Sequence, residues 1–300
     1  MYSICISSLV VYIVKDTLPQ RKVTVGADST SVTFDAGCIP QAVCAPSSGA
    51  EQPSRRRGEY PVRQARGLPP PKNPQEILRD FHAVYLTDSF SATFGGGAAL
   101  ACVGPCGRSS STHQRLFCCF DEIYCMFVGS LHNLSSLIRQ YGLSGKSTNE
   151  ALLVIEAYRT LRDRGPYPAD QVVKDLSGSF AFVVYDNKAG TVFAALSSDG
   201  RVPLYWGIAA DGSVVICDDG DIIKGSCSKS YAPFPTGCMF HSEFGLKSFE
   251  HPMNRMKAMP RVDSEGVMCG ANFKVDTYSK VNSMPRVGSA ANWTAWDNSL

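Results

Sequence analysis

The sequence predicts an α+β protein in which antiparallel sheets carry helices on an outer face. Three observations predict it: apolar runs of strand length on both sides of the central region, two adjacent helical segments between them, and tight turns that link the later strands. Parallel strands would need a crossover helix between successive runs. The second half of the chain has no such alternation.

Each element has its own local reason. Gln75 to Phe81 places apolar residues at Ile77, Leu78 and Phe81, the spacing of an amphipathic helix. Phe90 to Phe94 alternates as a strand ahead of Gly95-Gly96-Gly97. Leu116 to Phe120 and Ile123 to Val128 are short apolar runs suited to core strands. Leu131 to Gln140 reads as a helix stopped by Gly142, a residue type that takes the left-handed conformation at low cost. Ser147 and Glu150 read as a capping box ahead of a helix over Ala151 to Leu161, which Gly165-Pro166 ends. Phe180 to Asp186 and Thr191 to Leu196 form a hairpin through Asn187-Lys188-Ala189-Gly190, with glycine where a positive φ is needed. Val202 to Gly207 and Gly212 to Cys217 follow as strands around the Asp211-Gly212 turn.

With 300 residues and 44% hydrophobic positions the chain can bury a substantial core. Lys+Arg 29 against Asp+Glu 27 excludes a nucleic-acid binder that works through a whole-molecule positive field. The balance is uneven, with nine basic and five acidic residues in 1–74 and a slightly acidic remainder. Residues 36–74 are rich in Pro, Gly, Ser and Arg, including Arg55-Arg56-Arg57, and bury too little apolar surface to offset their entropy. The expected organisation is a low-complexity, disordered leader over 1–74 with a first strand within 2–14, a domain over 75–285, and a loose tail over 286–300. Val23-Thr24-Val25 and Val32-Thr33-Phe34 are candidate weak strands inside the leader. The triple arginine reads as solvated linker rather than as an import or anionic-surface patch.

Ile4 to Val14 is apolar but too short to span a bilayer, which takes about 20 residues. It has no basic residue before it and no small-residue cleavage site after it. An intracellular protein with reduced thiols is expected. Twelve cysteines occur with no C-x-x-C pair, and Cys102-x-x-x-Cys106 with Cys118, Cys119 and His113 is a poor zinc set. Asp218-Asp219-Gly220-Asp221 lacks the spaced ligands of a calcium loop and reads as a turn. No metal and no cofactor is expected.

Two stretches resemble a known class. Leu176-Ser177-Gly178-Ser179-Phe180-Ala181-Phe182-Val183-Val184-Tyr185-Asp186, followed by Ser198-Asp199-Gly200-Arg201-Val202-Pro203-Leu204-Tyr205-Trp206-Gly207, is similar to the glutaminase domain of asparagine synthetases and other class II glutamine amidotransferases. The resemblance implies an αββα sandwich of two antiparallel sheets flanked by helices, the N-terminal-nucleophile type. Tyr141-Gly142-Leu143 and Leu161-Arg162-Asp163-Arg164 resemble the YGL and LRDR motifs of the plant aluminium-induced, stem-specific-protein-like family, and the likeness runs from about Pro74 to about Pro285.

The class resembled hydrolyses glutamine with an N-terminal cysteine, its own α-amino group as base, and an oxyanion site made by a main-chain N–H and an Asn side chain. This sequence begins Met1-Tyr2, and Cys5 would need cleavage after Ile4. Val128-Gly129-Ser130 stands in the place of the class motif N-G-E. Gly129 keeps a peptide N–H for an anion, Val128 removes the oxyanion side chain, and Ser130 removes the carboxylate that holds the substrate amine. Losing one such donor costs about 3 kcal/mol of transition-state stabilisation. Thr148 stands where the class has an aspartate, and no R-G-P-D motif lies upstream. Val128, Gly129, Ser130 and Thr148 are therefore expected to be vestigial, with no catalytic residue. Cys125 reads as core, and His132, His241 and His251 as packing or capping residues. Arg159, Arg162 and Arg164 with Asp163 read as a paired surface of the capped helix.

The resemblance implies a non-catalytic amidotransferase-like protein of plants, stress- or hormone-responsive (aluminium, auxin type), that binds a protein partner or small ligand in the cytoplasm and nucleus. A homodimer is among the assemblies considered; nucleic acid and a membrane span are not. The alternative is an amidohydrolase or weak glutaminase with a relocated nucleophile, Cys5 or Cys125.

Overall fold

The computed structural model describes residues 2–5, 8–14, 70–85, 89–104, 113–144, 148–163, 169–262 and 268–280. The candidate strands at Val23 and Val32, the arginine triplet, Cys106, Ser147, Arg164 and the tail lie outside them.

Two antiparallel sheets face each other. The first has seven strands in the order β1 (Tyr2–Cys5), β5 (Arg115–Phe120), β6 (Ile123–Leu131), β7 (Gly178–Asp186), β8 (Thr191–Leu196), β12 (Cys238–His241) and β13 (Gly245–Ser248). The second has six: β11 (Tyr231–Pro233), β9 (Tyr205–Ile208), β10 (Val214–Cys217), β2 (Ser8–Val14), β4 (Ala99–Val103) and β3 (Ser89–Thr93). A separate ribbon pairs β14 (Asn254–Val262) with β15 (Met268–Lys280).

Alternation along the strands divides the core into three layers. Met126, Val128, Ala181 and Val183 meet Leu100, Trp206 and Ile216 between the sheets. On the far side of the first sheet, Cys125, Phe127, Phe180 and Phe182 meet Leu137 of α2 (Leu134–Gln140), Leu153 and Val154 of α3 (Glu150–Asp163), and Val173 of α4 (Ala169–Lys174). On the far side of the second, Ala101 and Val215 meet Ile77 and Phe81 of α1 (Pro74–Val84) and Ile223 and Cys227 of α5 (Gly220–Cys227). Helices thus cover both outer faces, not one, and the four layers are helix, sheet, sheet, helix.

Within the segment read as a leader there are two strands, in different sheets. Tyr2–Cys5 extends the first sheet along β5, with Cys5 opposite Leu116. Ser8–Val14 lies inside the second, between β10 and β4, and joins its two halves. Ordered contacts also begin before Gln75: Lys72 N–H donates to Ser226 O, and Asn73 N–H to Glu76 at 3.0 Å ahead of Pro74.

Several boundaries moved for local reasons. Helix α3 is capped by Asn149, whose Oδ1 accepts from Leu152 N–H at 3.0 Å. Asp218-Asp219-Gly220-Asp221 is not a simple turn, because Asp219 Oδ1 accepts from Asp221 and Ile222 N–H and so starts α5. The strand expected over Val202 to Gly207 begins at Tyr205, and the one expected from Gly212 begins at Val214.

Candidate functional site

The Val128-Gly129-Ser130 segment lies in β6 beside the start of β7, and two glycines fix that junction. Gly129 has φ of 110°, and a Cβ there would sit 1.9 Å from Ser179 O. Gly178, opposite Leu131, has φ of 150°, and its Cβ would sit 2.2 Å from Ser130 O. No larger residue fits either place without moving backbone. The sequence left the Gly129 N–H as a donor for an anion. In the structure it donates to Gln114 O at 2.8 Å.

Val128 is buried between the sheets and lines a crevice with Met126, Ala181, Leu204, Ile216 and Asp218, with room for about one water molecule. Asp218 follows the last residue of β10 and points into the protein, with 2% of its side chain exposed. Its Oδ2 accepts from Arg115 Nε at 2.9 Å, while its Oδ1 has no partner among the described residues. Burial pushes the Asp218 carboxyl above its ordinary range, although the Arg115 guanidinium pulls the other way. An acidic side chain therefore faces the crevice from the second sheet, and an apolar side chain from the first. Of the four positions expected to be vestigial, Val128 lines it and Gly129, Ser130 and Thr148 do not. Ser130 is exposed, and Thr148 donates to Ser144 O at 2.7 Å. Neither Arg115 nor Asp218 was singled out from sequence as a site residue. An acid directly after the apolar run Val214 to Cys217 was the available signal.

Burial disfavours the thiolate at Cys102, Cys118, Cys119, Cys125, Cys217, Cys227 and Cys238. Cys125, buried beside Cys118 and Phe127, is on the helix-covered face of the first sheet, away from the crevice. Burial raises its pKa well above the ordinary thiol value, and the Cys118 thiol adds to the effect. Burial likewise raises Cys118 to about 11, and Cys227 and Cys238 to about 12. Cys102, Cys119 and Cys217 are shifted in the same direction, again chiefly by burial. A catalytic thiol needs the opposite shift. Among the described residues no three His, Cys, Asp or Glu side chains are grouped as a metal site. His241 packs between Phe193 and Phe244, and burial lowers its pKa.

Both short motifs hold the scaffold. Tyr141-Gly142-Leu143 ends α2 in a Schellman arrangement: Leu143 N–H donates to Ile138 O at 2.9 Å and Gly142 N–H to Arg139 O at 3.1 Å, with Gly142 at φ of 66°. In the second motif Leu161 packs on the helix-side core, and Arg162 pairs with Asp163 at 2.8 Å and with Asp186 at 2.9 Å. Asp186 is fully buried and also accepts from Tyr158 OH and from the N–H groups of Lys188 and Ala189. Arg159 bonds Glu156 and stands over the Phe120 ring at 5.2 Å.

Four layers and two all-antiparallel sheets make the αββα sandwich that the resemblance to class II glutamine amidotransferases implied. Sequence comparison agrees: a probable glutamine-hydrolysing asparagine synthetase of Dictyostelium discoideum is 37% identical over 125 residues, 41% of this chain and 22% of that protein. The profile of a family described as Aluminium induced protein matches residues 52–275, and the chain belongs to that family. The stem-specific protein TSJT1 of Nicotiana tabacum is 39% identical over 124 residues, 41% of this chain and 80% of that one. Among solved structures, a glutamine phosphoribosylpyrophosphate amidotransferase from B. subtilis aligns over 63% of this chain and 50% of its own, at 15% identity and a TM-score of 0.42.

Proposed function

We propose that this chain is a non-catalytic member of the amidotransferase-like class, a binding or interaction protein that keeps the scaffold without the glutaminase reaction. The observation that carries the reading is that Val128 and Asp218 line one crevice, where the reaction would need a donor. Glutamine hydrolysis develops negative charge on the amide oxygen, and donors must be aimed at it. Here the position matching the donor side chain is aliphatic, the neighbouring Gly129 N–H is already bonded to Gln114, and the ionisable side chain lining the crevice is an acid, Asp218, not a donor cation. The raised thiol pKa values act in the same direction. A stress- or hormone-linked role in plants, in cytoplasm and nucleus, is part of this proposal and rests on family membership and the motifs. Purified full-length protein incubated with glutamine should release no ammonia above the buffer rate. Release that disappears in Cys125→Ala or Cys5→Ala would establish the amidohydrolase reading instead.

A further inference from the structure

The β14–β15 ribbon is fixed to the body through one face. Phe273 meets Trp206 edge-on at 5.3 Å, Met256 and Phe273 pack on the inter-sheet core, and Arg261 stands over the Tyr231 ring at 4.4 Å. Gly270 lets the strand approach closely, since a Cβ there would lie 2.6 Å from Tyr231 O.

The other face is exposed and basic. Arg255 and Lys257 alternate with the inward Met256, and Lys257 lies directly opposite Lys274. Like charges facing each other across a ribbon are unfavourable. None of these three cations has an ion-pair partner among the described residues. Among the described residues, the same element or its flank carries four of the six exposed large apolar side chains: Met253, Met259, Val262 and Tyr278, the last 96% exposed.

We propose that this ribbon face docks the protein on an anionic bilayer surface. Unpaired cations are complementary to acidic headgroups, each worth roughly fivefold in partitioning. The interspersed methionine, valine and tyrosine side chains enter the boundary between headgroups and acyl chains, a gain that a polar polyanion such as nucleic acid does not offer. This inference stands apart from the question of catalysis.

The test is co-sedimentation of the full chain with vesicles of phosphatidylcholine alone and with phosphatidylserine added. Binding is expected only with phosphatidylserine, weakening as salt rises. The double variant K257E/K274E should bind about twentyfold or more weaker. The pair M259S/Y278S should weaken binding without changing its salt dependence, and both variants should unfold at the wild-type temperature. Binding that survives K257E/K274E but is lost when Arg55, Arg56 and Arg57 become alanine would overturn the assignment to the ribbon. So would absence of vesicle binding, or binding of duplex DNA or an acidic peptide in place of vesicles.

Discussion

Arg162 Nη1 donates to Asp186 Oδ2 at 2.9 Å, joining the last turn of α3 to the end of β7. Asp186 is fully buried, and its other oxygen takes the Lys188 and Ala189 N–H groups that shape the β7–β8 turn. One carboxylate thereby ties a helix terminus, a strand end and a hairpin together, and the arginine of the family motif balances its charge. Replacing Arg162 by methionine keeps the aliphatic stem and removes the balance. A loss of about 2 kcal/mol in unfolding free energy is expected, read by urea denaturation, because a buried carboxylate loses its charge-assisted bond.

Gly142 in the other motif carries the left-handed turn that closes α2. Gly142→Ala should cost about 1 kcal/mol, the penalty for placing a Cβ in that region, with the fold unchanged. A neutral effect in thermal unfolding would mean that the α2 terminus does not depend on this turn.

The β5–β6 turn stores strain at Asp121 and Glu122, both with positive φ, 52° and 60°. This is the pattern of a type I′ hairpin, which favours Asp-Gly. Glu122→Gly should therefore stabilise the protein by about 1 kcal/mol even though the exposed bond from Asn187 Nδ2 to the Glu122 carboxylate is lost. Calorimetry comparing the two proteins checks the sign.

Asp218 predicts a pH dependence. Burial raises its folded pKa above the ordinary 3.8, so the folded state holds the proton more tightly than the unfolded chain. Its contribution to stability is full below 3.8 and is lost as pH rises through the folded value. Asp218→Asn should flatten that descending limb in denaturant titrations run from pH 4 upward. An unchanged profile would place the ionisation elsewhere.

What the sequence showed and what it hid follow from range. The β7–β8 hairpin was legible to the residue at Thr191 and Leu196, because Asn187 to Gly190 specifies its turn locally. The strand Ala99–Val103 was missed although Ala98 to Val103 is one apolar run, since a fully buried strand has no alternation to reveal it. Helix α5 was masked because an aspartate N-cap and an Asx turn begin with the same bond. The positions Val128, Gly129 and Ser130 were singled out by pattern. Their surroundings were not, because Asp218 meets Arg115 across a separation of 103 residues and Gly129 N–H meets Gln114 only after the strands pair.

Covalent trapping shows whether any thiol of this scaffold attacks glutamine. Full-length protein treated with an electrophilic glutamine analogue, then measured by intact mass, should show the unmodified mass at analogue concentrations where a competent glutaminase is labelled completely. A single stoichiometric adduct, protected by excess glutamine and mapped to one cysteine, would make the protein a glutaminase-type enzyme instead.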